Sequence, residues 1–175
     1  MIVATDESER SALAELHRRS EANGVQVRLL GADGVREPEP HVRCVAGLHS
    51  PNTGIADFVA VAHKLGELVE QAGGQIRLNT PVTKIKVRHD GVRLFSGEEE
   101  LIAEAVINCG GLQSDRLARM AGAKPGLRIV PFRGEYYFLK PEAHHLVRGL
   151  IYPVPDPSFP FLGVHFTRTI HGGVE

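Results

Sequence analysis

The sequence predicts an α+β or mixed α/β fold, and three observations carry that expectation. Residues 6–22 and 57–72 repeat apolar side chains at helical spacing. Short apolar or alternating runs recur between them and after them, as strands do. Glycine, proline, Asn-Gly and Asp-Gly close nearly every one of these segments. Helix-flanked strands followed by antiparallel-looking hairpins give a mixed sheet with flanking helices. At 175 residues the chain is long enough for one domain with a real core and short for two.

In order, Ile2-Val3-Ala4 reads as a strand, and Asp6 with Glu9 has the spacing of a capping box ahead of a helix. Ala12, Leu13 and Leu16 form the inner face of that helix, which Asn23-Gly24 ends. Val25, Val27 and Leu29 alternate like a half-buried strand, and residues 31–34 start a short turn or helix that must stop before Pro38. Residues 39–54 hold two prolines and two glycines, so loops and short strands are expected there. Asp57 begins the best helix, with Phe58, Val61, Leu65, Leu68 and Val69 on one face, a face the periodicity assigns to the core. Strands are expected at 75–79, at 82–88 and at 92–95, the last two joined by a hairpin at Asp90-Gly91. Glu98 to Glu100 keep a charged turn solvated. Further β structure is expected at 129–139, broken at Arg133-Gly134, and at 149–152 and 161–166. A proline-rich loop over 153–160 separates the last two.

Composition narrows the function classes. The chain is 42% hydrophobic and 23% charged, as soluble globular proteins are, with 20 Lys and Arg against 21 Asp and Glu. That balance gives no support to a nucleic-acid or anionic-membrane partner. No apolar run is long enough to span a membrane and no signal peptide opens the chain, so a cytoplasmic location is expected. Cys44 and Cys109 do not form a CxxC and are expected to be reduced thiols. The nine histidines are scattered without zinc spacing, and no metal site is expected.

Chemistry concentrates in residues 103–118, AEAVINCGGLQSDRLA. An apolar strand, Ala105-Val106-Ile107, runs into Asn108-Cys109-Gly110-Gly111 and then into a helix capped by Ser114 or Asp115. Main-chain N–H groups meeting at a helix start suit a phosphate; an ordinary β-turn-α junction is the plainer alternative.

This segment resembles a motif of the D-amino-acid-oxidase-like (DAO) flavoenzymes, in which a strand ending in Asn-x-x-Gly, then Ser-Asp and a helix, lies beside FAD. Gln113 stands where the family has Trp, and Cys109 where it has a small residue. SPNTGIADF, GGQIRLNTPVTKI and PFRGEYYFL follow the same family in order. LIYPVPDP and FLGVHFTRTIHGGVE are similar to its L-2-hydroxyglutarate oxidase/dehydrogenase branch. The resemblance covers essentially the whole chain. It implies a substrate-binding-type mixed sheet, the FAD cofactor and oxidation of a small dicarboxylate, L-2-hydroxyglutarate, to 2-oxoglutarate. The family opens with a strand, a GxGxxG turn and a helix that bind the FAD diphosphate, and no GxGxxG occurs in these 175 residues. The chain is therefore expected to be an internal fragment lacking that βαβ unit. On its own it is expected to be inactive and to bind FAD weakly or not at all. Its missing nucleotide-binding part is its expected partner, and self-association is expected through the apolar surface left open. In the parent, peripheral contact with the inner membrane is a further expectation.

Site residues follow from the resemblance and from side-chain chemistry. His49 and His165 are the two candidates for the base, since imidazole titrates near neutral pH. Arg133, at the break between strands, and Tyr136 are expected to bind substrate carboxylate. Val82, Asn108, Cys109, Gly110 and Gly111 are expected to face the cofactor. Structural roles remain the alternative for each: a packed histidine, a ladder arginine, a core tyrosine. Two further readings stay open, another DAO-type oxidase acting on an amino acid or glycerol phosphate, and a non-catalytic binding or assembly module.

Overall fold

The computed structural model describes residues 1–159 and 161–175; Pro160, the last residue of the expected proline-rich loop, lies outside them. The elements in chain order are β1 (Ile2–Ala4), α1 (Arg10–Ala22), β2 (Arg28–Gly31), α2 (Ala32–Arg36), β3 (Ala46–His49) and α3 (Phe58–Gln71). They continue with β4 (Lys84–Arg88), β5 (Gly91–Ser96), β6 (Glu99–Ala103), α4 (Ser114–Met120) and β7 (Tyr152–Pro153). Short 3-10 turns at Glu7–Glu9, Gly111–Gln113 and Pro141–Leu146 complete them. Helices with two sheets make a mixed α+β chain, as expected. The chain divides into two compact units, Met1–His63 with Glu135–Glu175, and Lys64–Gly134.

The first unit is built on a four-stranded sheet ordered β2-β3-β1-β7. β3 is antiparallel to both β1 and β2, and β7 joins β1 in parallel. Because side chains alternate along a strand, this sheet feeds two cores. Val3 points to a cluster with Val35, Val147, Ile151 and Val174. Its neighbour Ala4, with Ala46 and Leu48, points to the opposite cluster, where Leu13 of α1 and Val154 sit. The first helical run opens where the sequence places it, as the 3-10 turn Glu7–Glu9 that leads into α1. The Asp6 carboxylate accepts from the Ser8 N–H at 2.9 Å, and the Glu9 carboxylate accepts from the Thr5 and Asp6 N–H groups at 2.6 and 3.3 Å. Three main-chain donors at the start of this helical run are thereby satisfied.

The second unit holds the meander β4-β5-β6 and α4. The β4–β5 turn falls at His89-Asp90, and Arg88 pairs with Gly91. Asp115, buried in the first turn of α4, accepts from Arg119 at 2.5 Å and from the Ile129 N–H at 3.3 Å. It thereby ties the segment after the helix back onto it.

Several expectations are corrected. Residues 75–79 form no strand: Leu78 and Asn79 turn, Asn79 takes φ 53°, and the Thr80 hydroxyl donates to the Leu78 carbonyl at 2.9 Å. Residues 105–107, 129–139 and 161–166 form no ladder, although their composition is strand-like. A strand exists only with a partner, and among the described residues the last of these runs makes a single bridge, Ile151 to Phe166. The expected strand at 149–152 shrinks to Tyr152–Pro153 beside that bridge, and β2 begins only at Arg28. Neither Ser114 nor Asp115 caps α4, whose first turn follows Gln113 with no side-chain cap. α3 does follow directly on Asp57, whose carboxylate accepts from the Ala60 N–H at 3.0 Å. Its apolar face is not core, however: no residue of α3 is buried, and Phe58 is 78% exposed. Periodicity identifies a face that seeks cover, and these residues do not supply the cover.

Candidate functional site

The expected site residues separate by unit. In the first unit, β3 fixes His49 by strand alternation. Ala46 and Leu48 enter the α1-side core, so Gly47 and His49 turn to the other face. Gly47 has to be glycine there, because a Cβ would sit 2.6 Å from Val35 Cγ2. Past His49 the chain turns at once. The Thr53 hydroxyl donates to the Ser50 hydroxyl at 2.9 Å, and the Asn52 side chain donates to Gln26 at 3.1 Å. These bonds hold the Ser-Pro-Asn-Thr turn beside the strand end.

His49 lines a cleft of about 380 Å³ together with Ser50, Thr53, Glu39, Arg148 and Arg168. Burial lowers the His49 pKa below the usual imidazole value; the N-terminal ammonium and Arg28 add to this, and Glu39 opposes it. The ring is therefore held toward its neutral, proton-accepting form. Arg168 is braced from behind, donating to the main-chain carbonyls of His144 and Val147 at 3.2 and 3.1 Å. Glu39 is buried, and its two oxygens accept from the Gly149 and Arg148 N–H groups at 2.5 and 3.0 Å. Its charge is thus engaged by the main chain, and Arg148 and Arg168 line the same cleft. Such a cleft suits a small dianion, since guanidinium forks match carboxylates and carry charge throughout the physiological range.

His165 and Tyr136 are not in the lining of this cleft. His165 stacks on Tyr152 with ring centroids 5.2 Å apart, and one ring nitrogen, Nδ1, lies 2.8 Å from the Gly163 carbonyl. Tyr136 is 62% exposed in a segment without regular structure. It falls in the first unit, whereas Arg133 falls in the second. Sequence reasoning missed Glu39, Arg148 and Arg168. Arg168 carries a weak signal, standing three residues after His165 in the segment that resembles the hydroxyglutarate branch.

In the second unit, Asn108 organises the double-glycine loop. Its side-chain oxygen accepts from the Gly110 N–H at 3.1 Å, and its amide donates to the Ser114 carbonyl at 2.8 Å. Gly111 takes φ 53°, a left-handed conformation in which glycine is unstrained. Cys109 is an exposed free thiol, and Val82, half-buried, stands just ahead of β4. α4 has only seven residues, too short to make its N-terminus a strong anion site by itself. The loop is instead an exposed stretch of main chain folded over one asparagine.

The chain is 44% identical over 180 residues to the mitochondrial L-2-hydroxyglutarate dehydrogenase of Caenorhabditis elegans. It is 41% identical over 177 residues to the L-2-hydroxyglutarate dehydrogenase of Escherichia coli K12. Each match takes in 99% of this chain and 42% of the relative, so the chain spans under half the length of the curated relatives it matches. Among solved structures, an L-alpha-glycerophosphate oxidase from Mycoplasma pneumoniae with FAD bound superposes with TM-score 0.77 at 25% identity. That match covers 99% of this chain and 47% of the other. An L-proline dehydrogenase from P. horikoshii shares the fold, with TM-score 0.76 at 14% identity. The model of the FAD dependent oxidoreductase (DAO) family matches residues 1–174. The chain belongs to the FAD dependent oxidoreductase family.

Proposed function

We propose that this chain contributes the substrate cleft of an FAD-dependent enzyme that oxidises L-2-hydroxyglutarate to 2-oxoglutarate. The observation that carries the reading is the placing of a neutral-leaning His49 in one cleft with Arg148 and Arg168. His49 accepts the hydroxyl proton at its unprotonated ring nitrogen, and the two arginines hold the carboxylates. FAD, when bound, would supply the acceptor for the hydride that leaves the α-carbon. Val82 and the Asn108–Gly111 loop stay candidates for cofactor contact; the Gly111 backbone is uncovered, with no atom within 4 Å of where a Cβ would stand. The diphosphate cradle, a GxGxxG turn, is not among these residues. His165 stays the second candidate for the base, and Arg133 and Tyr136 stay candidates for substrate contact, each to be tested by substitution.

Titration calorimetry of the chain with 2-oxoglutarate and with 2-oxobutyrate, which lacks the distal carboxylate, tests the reading. The dicarboxylate should bind at least about tenfold tighter, the value of one charge-assisted contact. Equal binding of the two, or none, would remove the cleft from the reaction. A glycerol phosphate, also a small dianion, is the second reading, and the glycerophosphate oxidase match favours it. Displacement of 2-oxoglutarate by the phosphate ester at lower concentration would move the assignment there.

The exposed face of α3 supports self-association through that helix. No helix among the described residues is long and apolar enough to cross a membrane; of the two curated relatives above, that of Caenorhabditis elegans carries a mitochondrial designation and that of Escherichia coli does not. A cytoplasmic place with peripheral inner-membrane contact for the whole protein belongs to the same proposal.

A further inference from the structure

We propose that Glu39 is a positioning residue that holds Arg148 for the distal carboxylate of a dicarboxylate ligand; this rests on the reading of the cleft given above. Glu39 is 4% exposed, follows Pro38, and lies 109 and 110 residues in sequence from the two amides it binds. A buried carboxylate requires partners, and here each oxygen takes one: Oε1 from the Gly149 N–H at 2.5 Å and Oε2 from the Arg148 N–H at 3.0 Å. The clamp fixes the main chain at the residue whose side chain lines the cleft. The Arg148 guanidinium itself makes no hydrogen bond or ion pair with any described residue, in contrast to Arg168 with its two carbonyls. What is fixed at Arg148 is therefore the root of its side chain, and Glu39 fixes it through the main chain. Glycine at 149 is part of the device, because a Cβ there would lie 3.0 Å from Glu39 Oε1 and press the carboxylate away.

The clamp acts through Arg148, so its effect on binding should vanish when the Arg148 side chain is gone. The test is a double-mutant cycle on 2-oxoglutarate affinity with Glu39→Gln, Arg148→Ala and the pair. Glu39→Gln keeps shape and one acceptor oxygen but sets an amide donor against a main-chain donor; it should weaken binding about tenfold. In the Arg148→Ala background the same change should cost less than about twofold. Gly149→Ala should reproduce the loss with the carboxylate intact. Equal losses from Glu39→Gln in both backgrounds would overturn the proposal, leaving Glu39 a general support of the fold. So would unchanged affinity in Glu39→Gln and Gly149→Ala. Should neither variant fold, amide exchange in the unmutated chain decides. Protection at Arg148 and Gly149 supports the clamp, and exchange at the rate of an open loop refutes it. Failure of the unmutated chain to bind 2-oxoglutarate would refute the underlying cleft reading, and this inference with it. Binding that depends on Arg148 but not on Glu39 would refute this inference alone.

Discussion

Replacing His49 with glutamine tests the chemistry assigned to the cleft. The ring stands at the end of β3, half-buried, with Arg28 paired opposite it and Arg148 and Arg168 lining the same cleft. A positioned general base contributes about 10²–10⁴ in rate. The surrounding positive charge stabilises a developing alkoxide even without the base, so the loss should fall at the low end, about 10²–10³ in kcat. KM should change little, because the carboxylate partners are untouched. The pH profile supplies an independent check. Burial lowers the pKa of His49, and the base works only when neutral. The acid limb of kcat/KM should therefore lie below about pH 6.5, the ordinary imidazole value, and should disappear in His49→Gln. The assay is the reductive half-reaction, followed by flavin absorbance in the protein extended to the length of its relatives. A kcat within about threefold of the unmutated protein, or an acid limb that persists unchanged, would refute the assignment and make His165 the base to test.

The same depressed pKa has a consequence for folding. In the unfolded chain His49 titrates near its ordinary value, so the unfolded state binds more protons just below about pH 6.5. Stability from this residue is complete above that pH and is lost as pH falls toward the folded pKa; chemical denaturation from pH 8 to 5 should show the decline, shallower in His49→Gln. The two thiols should differ under alkylation. Cys109 is exposed, whereas burial raises the Cys44 pKa, so mass spectrometry should find Cys109 modified first and Cys44 only slowly. Leu13→Ala empties a position 1% exposed in the core under α1, and urea denaturation should register a loss of about 2–5 kcal/mol. Leu65→Glu on the open face of α3, where Leu65 is 59% exposed, should abolish concentration-dependent association in sedimentation velocity without lowering the melting temperature.

Local signals in the sequence translated well into structure. Asp6 and Glu9 place the start of the first helical run because a capping box needs only neighbours in sequence, and Asp90-Gly91 comes within one residue of the β4–β5 turn for the same reason. The failures are non-local. Residues 105–107 and 129–139 have strand composition, yet β propensity says nothing about whether a partner strand is within reach. α3 has a clear apolar stripe, and the pattern cannot tell a covered stripe from an open one. The site divides along the same line. His49 was legible because the turn that follows it resembles a family segment. Arg148 and Arg168 come to it from about a hundred residues away; the Arg148 N–H donates to Glu39, and the Arg168 guanidinium donates to the main-chain carbonyls of His144 and Val147. Nothing in the local pattern around Arg148 marks it off from a surface arginine.

The most direct test of the account is anaerobic reduction of the flavin in the protein extended to the length of its relatives. L-2-hydroxyglutarate should bleach the flavin absorbance while the D enantiomer leaves it oxidised, and the oxidised product should be 2-oxoglutarate. A bound flavin that L-2-hydroxyglutarate fails to bleach, or that both enantiomers bleach alike, would contradict the claim that the cleft around His49, Arg148 and Arg168 orients this substrate.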